Sequence, residues 1–204
     1  MGEWKNYVKK FRSNEKYEWQ NYQKRSIVKM DVKIRVCTLA DSKGIAEIYN
    51  EAIRFGGATM DDQEKPDEYF RKMIQGFSKR ETFLILENSE EIIGWGVIKR
   101  YSDRFGYRFC CETSVYLKRK FLRMGFGSMM KRALIEKCRE FGYRHLVGKI
   151  FSINKASIEY NLKLGYEIVG TQKEIGFKGG KWTDVTIMQL VLKDVEPKIP
   201  EKYL

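Results

Sequence analysis

Two features of this 204-residue sequence could do chemistry: a carboxylate inside a strand-like run, and a pair of glycines at the mouth of a helix-like one. Residues 107–117 alternate with a period of two, which puts Cys110, Glu112, Ser114 and Tyr116 on one face and Cys111, Thr113, Val115 and Leu117 on the other. A carboxylate in an otherwise apolar strand costs desolvation energy unless it is paired or working. Glu112 is therefore either a general base or a water-facing edge residue, and the pattern alone admits both. Next comes Arg123-Met124-Gly125-Phe126-Gly127-Ser128, then an apolar pattern of helical period. Glycines there leave the first backbone N–H groups of a helix unobstructed, and with the helix dipole these make an anion site. Lys118, Arg119, Lys120 and Arg123 add positive charge beside it, and the implied ligand is a phosphate or pyrophosphate. A lone Gly-x-Gly is a weak signal, because glycines also shape ordinary turns. No Gly-Lys-Ser/Thr follows, so this is not a Walker loop. The third glycine and downstream acid of a dinucleotide fingerprint are missing too.

Such residues need elements to hold them. Residues 32–37 alternate like a half-buried strand. Asp41 is placed to cap a helix whose apolar stripe is Ile45, Ile48, Tyr49, Ala52 and Ile53. The loop Gly56-Gly57-Ala58-Thr59 leads to a second helix over 66–77, with Tyr69, Phe70, Met73, Ile74 and Phe77 inward. Residues 82–87 and 92–98 read as a hairpin turning at Asn88-Ser89-Glu90, and the strand over 107–117 follows. A helix over 125–141 then carries Met129, Met130, Ala133, Leu134 and Cys138 at core spacing. A short strand over 145–150, a short helix over 156–164, and strands over 166–176 and 182–192 joined by a turn at 177–181 complete the pattern. The order β-α-α-β-β-β-α-β-α-β-β is one mixed α/β domain over 31–192, with an extension over 1–30 and a tail over 193–204. In the extension Trp4, Tyr7 or Val8, and Phe11 recur at helical spacing. It reads as a basic, aromatic helix packed on the domain or on a partner subunit, while interleaved basic and aromatic residues also fit RNA.

Composition narrows the class. Hydrophobic residues at 43% suffice for a core, and 32% charged residues keep the surface soluble. No apolar run nears the ~20 residues of a membrane span. The opening residues lack the basic start and apolar stretch of a secretory signal, so a cytoplasmic protein without a membrane partner is expected. Cys37, Cys110, Cys111 and Cys138 show no metal-ligand spacing, and adjacent cysteines are no disulfide framework. The single histidine, His145, reads as a strand-edge residue and excludes a multi-histidine site, so no metal is expected. The net charge of +12 would attract a polyanion, whether nucleic acid, a membrane face or a phosphorylated cofactor. That charge is spread along the chain rather than gathered in a block, so a solvated basic surface accounts for it.

Cys111-Glu112-Thr113-Ser114-Val115-Tyr116-Leu117, followed by the glycine loop, resembles the core of the GNAT superfamily of N-acetyltransferases, in its phosphinothricin-acetyltransferase-like branch. The resemblance continues through Asn154-Lys155-Ala156-Ser157-Ile158, Leu164-Gly165-Tyr166-Glu167, residues 176–185 and Met188-Gln189-Leu190. Ile34-Arg35, Asp41 and residues 48–53 also fit, so it spans 31–192. It implies a GNAT-like mixed central sheet of about seven strands flanked by about four helices, plus an N-terminal helical extension. It implies acetyl-CoA as co-substrate and a small-molecule primary amine as acceptor, an amino acid or analogue of the phosphinothricin or methionine sulfone type. The backbone of Val115, Tyr116 and Leu117 would bind the pantetheine arm and polarise the thioester carbonyl. The loop Arg123, Met124, Gly125, Phe126, Gly127 and Ser128 would hold the pyrophosphate, and Asn154 would contact the cofactor arm. Glu112 falls on the carboxylate that deprotonates the acceptor, since an amine must be neutral to attack a thioester. Tyr49, Thr59, Tyr107, Arg108, Lys178 and Trp182 lie where an acceptor would sit by analogy, Arg108 or Lys178 clamping an α-carboxylate.

Two departures stand out. Leu122 occupies a position that usually holds Gln or Arg, and Arg123 one that is commonly glycine. Asn161 stands where a Tyr or His often protonates the leaving thiolate, and an amide is no acid. Tyr160 beside it is expected on another side of the helix. Dimers are common in the branch, and the extension over 1–30 is the candidate interface. Three further readings stay open: protein or peptide acetylation through an open cleft, a non-catalytic acetyl-CoA sensor, and a nucleic-acid-binding protein on the same fold. The last is disfavoured, because no aromatic sheet motif of the RNA-recognition kind is present.

Overall fold

The computed structural model describes residues 30–197, so the helix expected over 1–30 lies outside the described residues, as does the end of the tail. Contacts divide the chain into Met1–Asp31 and Val32–Leu204, and the second unit carries the sheet and its helices. Its strands are β1 (Lys33–Val36), β2 (Thr82–Glu87), β3 (Ile92–Arg100), β4 (Cys110–Leu117), β5 (His145–Phe151), β6 (Glu167–Lys178) and β7 (Lys181–Val191). Its α-helices are α1 (Ser42–Phe55), α2 (Asp67–Gln75), α3 (Phe126–Glu140) and α4 (Lys155–Lys163). The seven strands form one sheet in the order β1-β2-β3-β4-β5-β7-β6, antiparallel except where β4 meets β5. Seven strands and four helices in a mixed sheet match the expected architecture.

Burial explains the elements. β2, Thr-Phe-Leu-Ile-Leu-Glu, is buried through its first five residues because helices cover both sheet faces. On one face α1 and α2 close over Phe83, Ile85, Trp95 and Val97 with Ile45, Ile48 and Phe70, and the Trp95 indole N–H donates to the Ile45 carbonyl at 3.1 Å. On the other, α3 lays Met130 and Leu134 against Gly96. A Cβ there would fall 2.7 Å from Leu134 Cδ1, so only glycine admits the helix this close.

Several local expectations needed correction. Asp41 does not cap α1 with its side chain; its carboxylate accepts from the Thr38 amide at 2.7 Å and pairs with Arg35 at 2.8 Å. Residues 107–109 do not extend β4, because Phe105–Tyr107 coils into a 3-10 turn. Met129 is 43% exposed, and the inward place on α3 goes to Lys131, 2% exposed. The last turn narrows to Gly179 and Gly180, both at positive φ, so β6 and β7 pair as far as Lys178 and Lys181. His145, expected at a strand's edge, is the first residue of β5 and pairs with Cys110 on β4 and Val191 on β7. Among the described residues no helix is long and apolar enough to cross a membrane.

Candidate active site

The site begins where the sheet splits. β4 and β5 pair for only three rungs, Cys110 with His145, Cys111 with Leu146 and Glu112 with Val147. Beyond them β4 keeps its bonds to β3 as far as Leu117, and β5 keeps its bonds to β7 as far as Phe151. The edges of Thr113–Leu117 and Gly148–Phe151 that face each other are thus left without ladder partners. Backbone groups in that state need a ligand or water. The opening is a slot of about 60 Å³ whose lining includes Ser114, Val115, Tyr116, Gly148, Asn154 and Tyr160.

Close to the slot stands the N-terminus of α3, where a Cβ on Gly127 would meet Tyr160, a lining residue, at 3.9 Å. Gly125 takes the cap position with φ +83°, and no side chain caps the helix. The first N–H groups of α3 are therefore free to meet an anion. Phe126 is buried against Phe121, so within the loop it offers only its backbone. Arg123, Met124 and Gly125 are exposed, and Arg123 takes φ +64°, the conformation a glycine would adopt without strain. Of the other cations expected here, Lys118 and Lys120 both pair with Glu91, and the Arg119 guanidinium lies over the Phe55 ring at 4.2 Å. Arg123 is the one of the four without such a partner among the described residues.

Asn154 caps α4, its Oδ1 accepting from the Ser157 amide at 3.2 Å. Its Nδ2 reaches the Gly57 carbonyl at 3.4 Å, which ties the 56–61 loop to the slot. Tyr116 does the same from β4, its hydroxyl donating to the Ala58 carbonyl at 3.2 Å. Burial of that phenol, with its ring 4.4 Å from Trp95, pushes it up to about 12. Tyr160 lines the slot together with Asn161, contrary to the expectation that it points elsewhere. Residues 160 and 161 straddle the direction of Ser157 on the helix, so both face inward.

On the opposite face lies a cleft of about 320 Å³, lined by Thr59, Met60, Glu112, Tyr116, Lys149 and Gln172 among others. Glu112 is neither isolated nor at a sheet edge: its Oε2 pairs with Lys149 Nζ at 2.7 Å, and its side chain is 22% exposed. Sequence reasoning missed Lys149; alternation along β5 was the available signal. Of the expected acceptor residues, Thr59 lines the cleft and is buried. Tyr49 supports it from beneath, its hydroxyl 2.7 Å from Thr59 Oγ1 and donating to Asp61 at 2.7 Å. Lys178 spends its ammonium on the carbonyls of Thr59 (2.7 Å) and Asp61 (2.6 Å), and burial holds it below the usual lysine range. The other three are not brought to the cleft lining. Tyr107 stacks on Tyr101, Trp182 stacks on Phe177, and Arg108 lies over the rings of Phe105 and Phe109. Among the described residues no cluster of three or more His, Cys, Asp or Glu could hold a metal. Cys111 and Cys138 meet as free thiols, Sγ to Sγ 3.6 Å.

Comparison with known proteins agrees with this fold. Residues 34–187 match the family described as an acetyltransferase (GNAT) domain. An L-methionine sulfoximine/L-methionine sulfone acetyltransferase of Pseudomonas aeruginosa is 34% identical over 167 residues, covering 80% of this chain and 96% of that one. An L-amino acid N-acyltransferase of Escherichia coli is 30% identical, covering 80% and 95%. Among solved structures, a phosphinothricin acetyltransferase of Sinorhizobium meliloti in complex with acetyl-CoA superposes with a TM-score of 0.77 at 26% identity, covering 83% of this chain and 94% of that one.

Proposed function

Because the chain belongs to the GNAT acetyltransferases, we propose that it transfers the acetyl group of acetyl-CoA to the primary amine of a small amino acid or analogue, of the methionine sulfoximine or phosphinothricin kind. The observation that carries this reading is the β4–β5 split that starts just past Glu112. The slot it opens shares Ser114, Tyr116 and Lys149 with the carboxylate-bearing cleft, and Tyr160 in its lining lies beside Gly127 in the uncapped first turn of α3. A pantetheine arm is a short extended chain with two amides, and unpaired strand edges suit it as a third strand would. A cleft of about 320 Å³ falls at the small-molecule end of ligand pockets and favours a small amine over a protein acceptor.

Each group then has a role. The N–H groups at the start of α3, with Arg123, hold the pyrophosphate. The backbone of Val115, Tyr116 and Leu117 binds the arm, and a strand N–H stabilises the oxyanion formed on attack. Asn154 fixes the 56–61 loop over the slot. Glu112 takes the proton from the acceptor ammonium, directly or through water. Thr59 and Lys149 face the acceptor, while Tyr49 and Lys178 hold the loop that carries Thr59. Residues 31–192 form the catalytic unit in this reading. A homodimer also belongs to it, because Val169, Ile175, Phe177 and Trp182 leave the β6–β7 hairpin with an exposed apolar surface.

The test is thiol release from acetyl-CoA across a panel of amino acids, phosphinothricin, methionine sulfone, polyamines and short peptides, with wild type and Glu112→Gln. Turnover of a small amine that collapses in the variant is the expected result. Binding of acetyl-CoA with no turnover on the panel would sink the small-amine reading.

A further inference from the structure

α3 carries a lysine on its buried side. Lys131 is 2% exposed, and among the described residues no carboxylate is paired with it. Its Nζ donates to Thr113 Oγ1 at 2.6 Å, approaches the Thr113 carbonyl at 3.4 Å, and lies 4.8 Å from the centre of the Tyr166 ring. An ammonium in such surroundings is costly and needs a reason. Its position supplies one. Lys131 lines the slot together with Thr113, Val115, Tyr160 and Asn161. Thr113 is the first residue past the last paired rung, and strand alternation sends its side chain to the face opposite Glu112. Carboxylate and ammonium thus flank the same point of the split sheet from its two faces.

We propose that Lys131 is the proton donor to the thiolate released from acetyl-CoA, a role the Asn161 amide cannot fill. The inference rests on the acetyl-transfer reading above. When the tetrahedral adduct of amine and thioester collapses, the carbon–sulfur bond breaks and its electron pair goes to sulfur. The Lys131 ammonium gives that sulfur a proton and becomes a neutral amine. Solvent returns a proton to Lys131 as CoA leaves, balancing the one that Glu112 took from the acceptor and gives up, and a space of about 60 Å³ exceeds what a single relaying water needs.

The surroundings suit the task. Burial brings Lys131 down to about 8, near the reference value of about 8.5 for a thiol, so donor and acceptor are matched. The titratable groups around it are Cys111 on β4, Glu112 across the sheet on the same strand, Cys138 on α3 itself and Tyr166 just before β6. Glu112 favours the ammonium, while burial holds Cys111 and Tyr166 in their protonated, uncharged forms. A second polar atom nearby also waits for a partner: Asn161 Oδ1 is buried with none among the described residues, and it suits an amide N–H of the cofactor arm.

The test reads the sulfur itself. CoA binding is first measured by calorimetry in wild type, Lys131→Met, Lys131→Gln and Tyr160→Phe. The thiol of the bound CoA is then titrated by its ultraviolet thiolate absorbance. A neighbouring ammonium should make that thiol about tenfold more acidic in wild type than in either Lys131 variant. In both variants kcat should fall about 10²-fold with KM for acetyl-CoA within about threefold. The decline of wild-type kcat as pH rises through about 8 should be absent from both. Equal thiol acidity in wild type and the Lys131 variants overturns the proposal. So does a shift that survives Lys131→Met and is lost in Tyr160→Phe, which assigns the proton to the phenol. Failure of wild type to bind CoA overturns the acetyl-transfer reading itself, and this proposal with it.

Discussion

Glu112 and Lys149 are ion-paired, Oε2 to Nζ 2.7 Å, at the point where β4 and β5 cease to pair. The lysine side chain is 49% exposed, so the pair contributes no more than about 1 kcal/mol and opens readily when a substrate arrives. Among the described residues Lys149 is also the one cation in the cleft lining. Its removal should therefore spare the fold and weaken acceptors that carry a carboxylate. Lys149→Met is expected to raise KM for an amino acid about tenfold or more, and to leave the KM of its carboxamide nearly unchanged. Equal losses for both would remove Lys149 from acceptor binding.

Lys178 makes the opposite prediction. Both of its strong bonds go to backbone carbonyls of the loop, so it acts on the acceptor only through Thr59 and its neighbours. Lys178→Met should lower stability by about 1–2 kcal/mol and raise KM for amino acid and carboxamide alike. Chemical melts and paired kinetics decide it; a loss confined to the carboxylate-bearing acceptor would restore the clamp expected from sequence.

Arg123 holds φ +64° with a side chain that disfavours it. The strain is of order 1–2 kcal/mol, and glycine removes it at some cost in unfolded-state entropy. Arg123→Gly should thus be no less stable than wild type. It should still bind acetyl-CoA several-fold more weakly, and more so at low salt, because the unpaired guanidinium beside the α3 terminus is gone. A large loss of stability would contradict the strain argument.

These three residues show where reading the sequence succeeds and where it stops. Alternation along 107–117 placed Glu112 in a strand, and the glycines placed an open helix terminus beside it, because both signals are local and periodic. The partner of Glu112 lies on β5, and only the parallel register brings the two together. Arg108 and Lys178 looked alike as cations, yet one rests on its neighbours Phe105 and Phe109 while the other pins a loop more than 100 residues away in sequence. Asp41 followed a capping pattern, but Arg35 six residues earlier competes for the same carboxylate and wins with two bonds of 2.8 Å. Lys131 was legible in principle. With Leu134, Ile135 and Cys138, all buried, it keeps the i, i+3, i+4, i+7 spacing of an inward stripe, and a lysine on such a stripe signals a buried cation.

That buried cation has a thermodynamic signature. Lys131 titrates at about 8 in the folded protein against 10.5 when free. Below about 8 it is charged in both states, and the full cost of burying the charge weighs on the fold. Between 8 and 10.5 the unfolded chain keeps a proton that the folded protein has shed, so this group's contribution to stability rises with pH. Above 10.5 it is neutral in both states and the penalty is gone. The gap corresponds to about 3 kcal/mol. Lys131→Met removes it and loses a hydrogen bond to Thr113 that contributes about 1 kcal/mol. The variant should therefore be more stable than wild type by about 1–3 kcal/mol at pH 7, with the advantage fading by pH 10.5. Buried thiols and phenols such as Cys111 and Tyr166 titrate with the opposite sign at high pH, so the comparison must be the difference between the two proteins in urea melts at matched pH. A variant that is slower yet more stable would mean that the charge is kept for chemistry at the expense of stability. A variant that is less stable by the same amount at every pH would make Lys131 an ordinary packing residue.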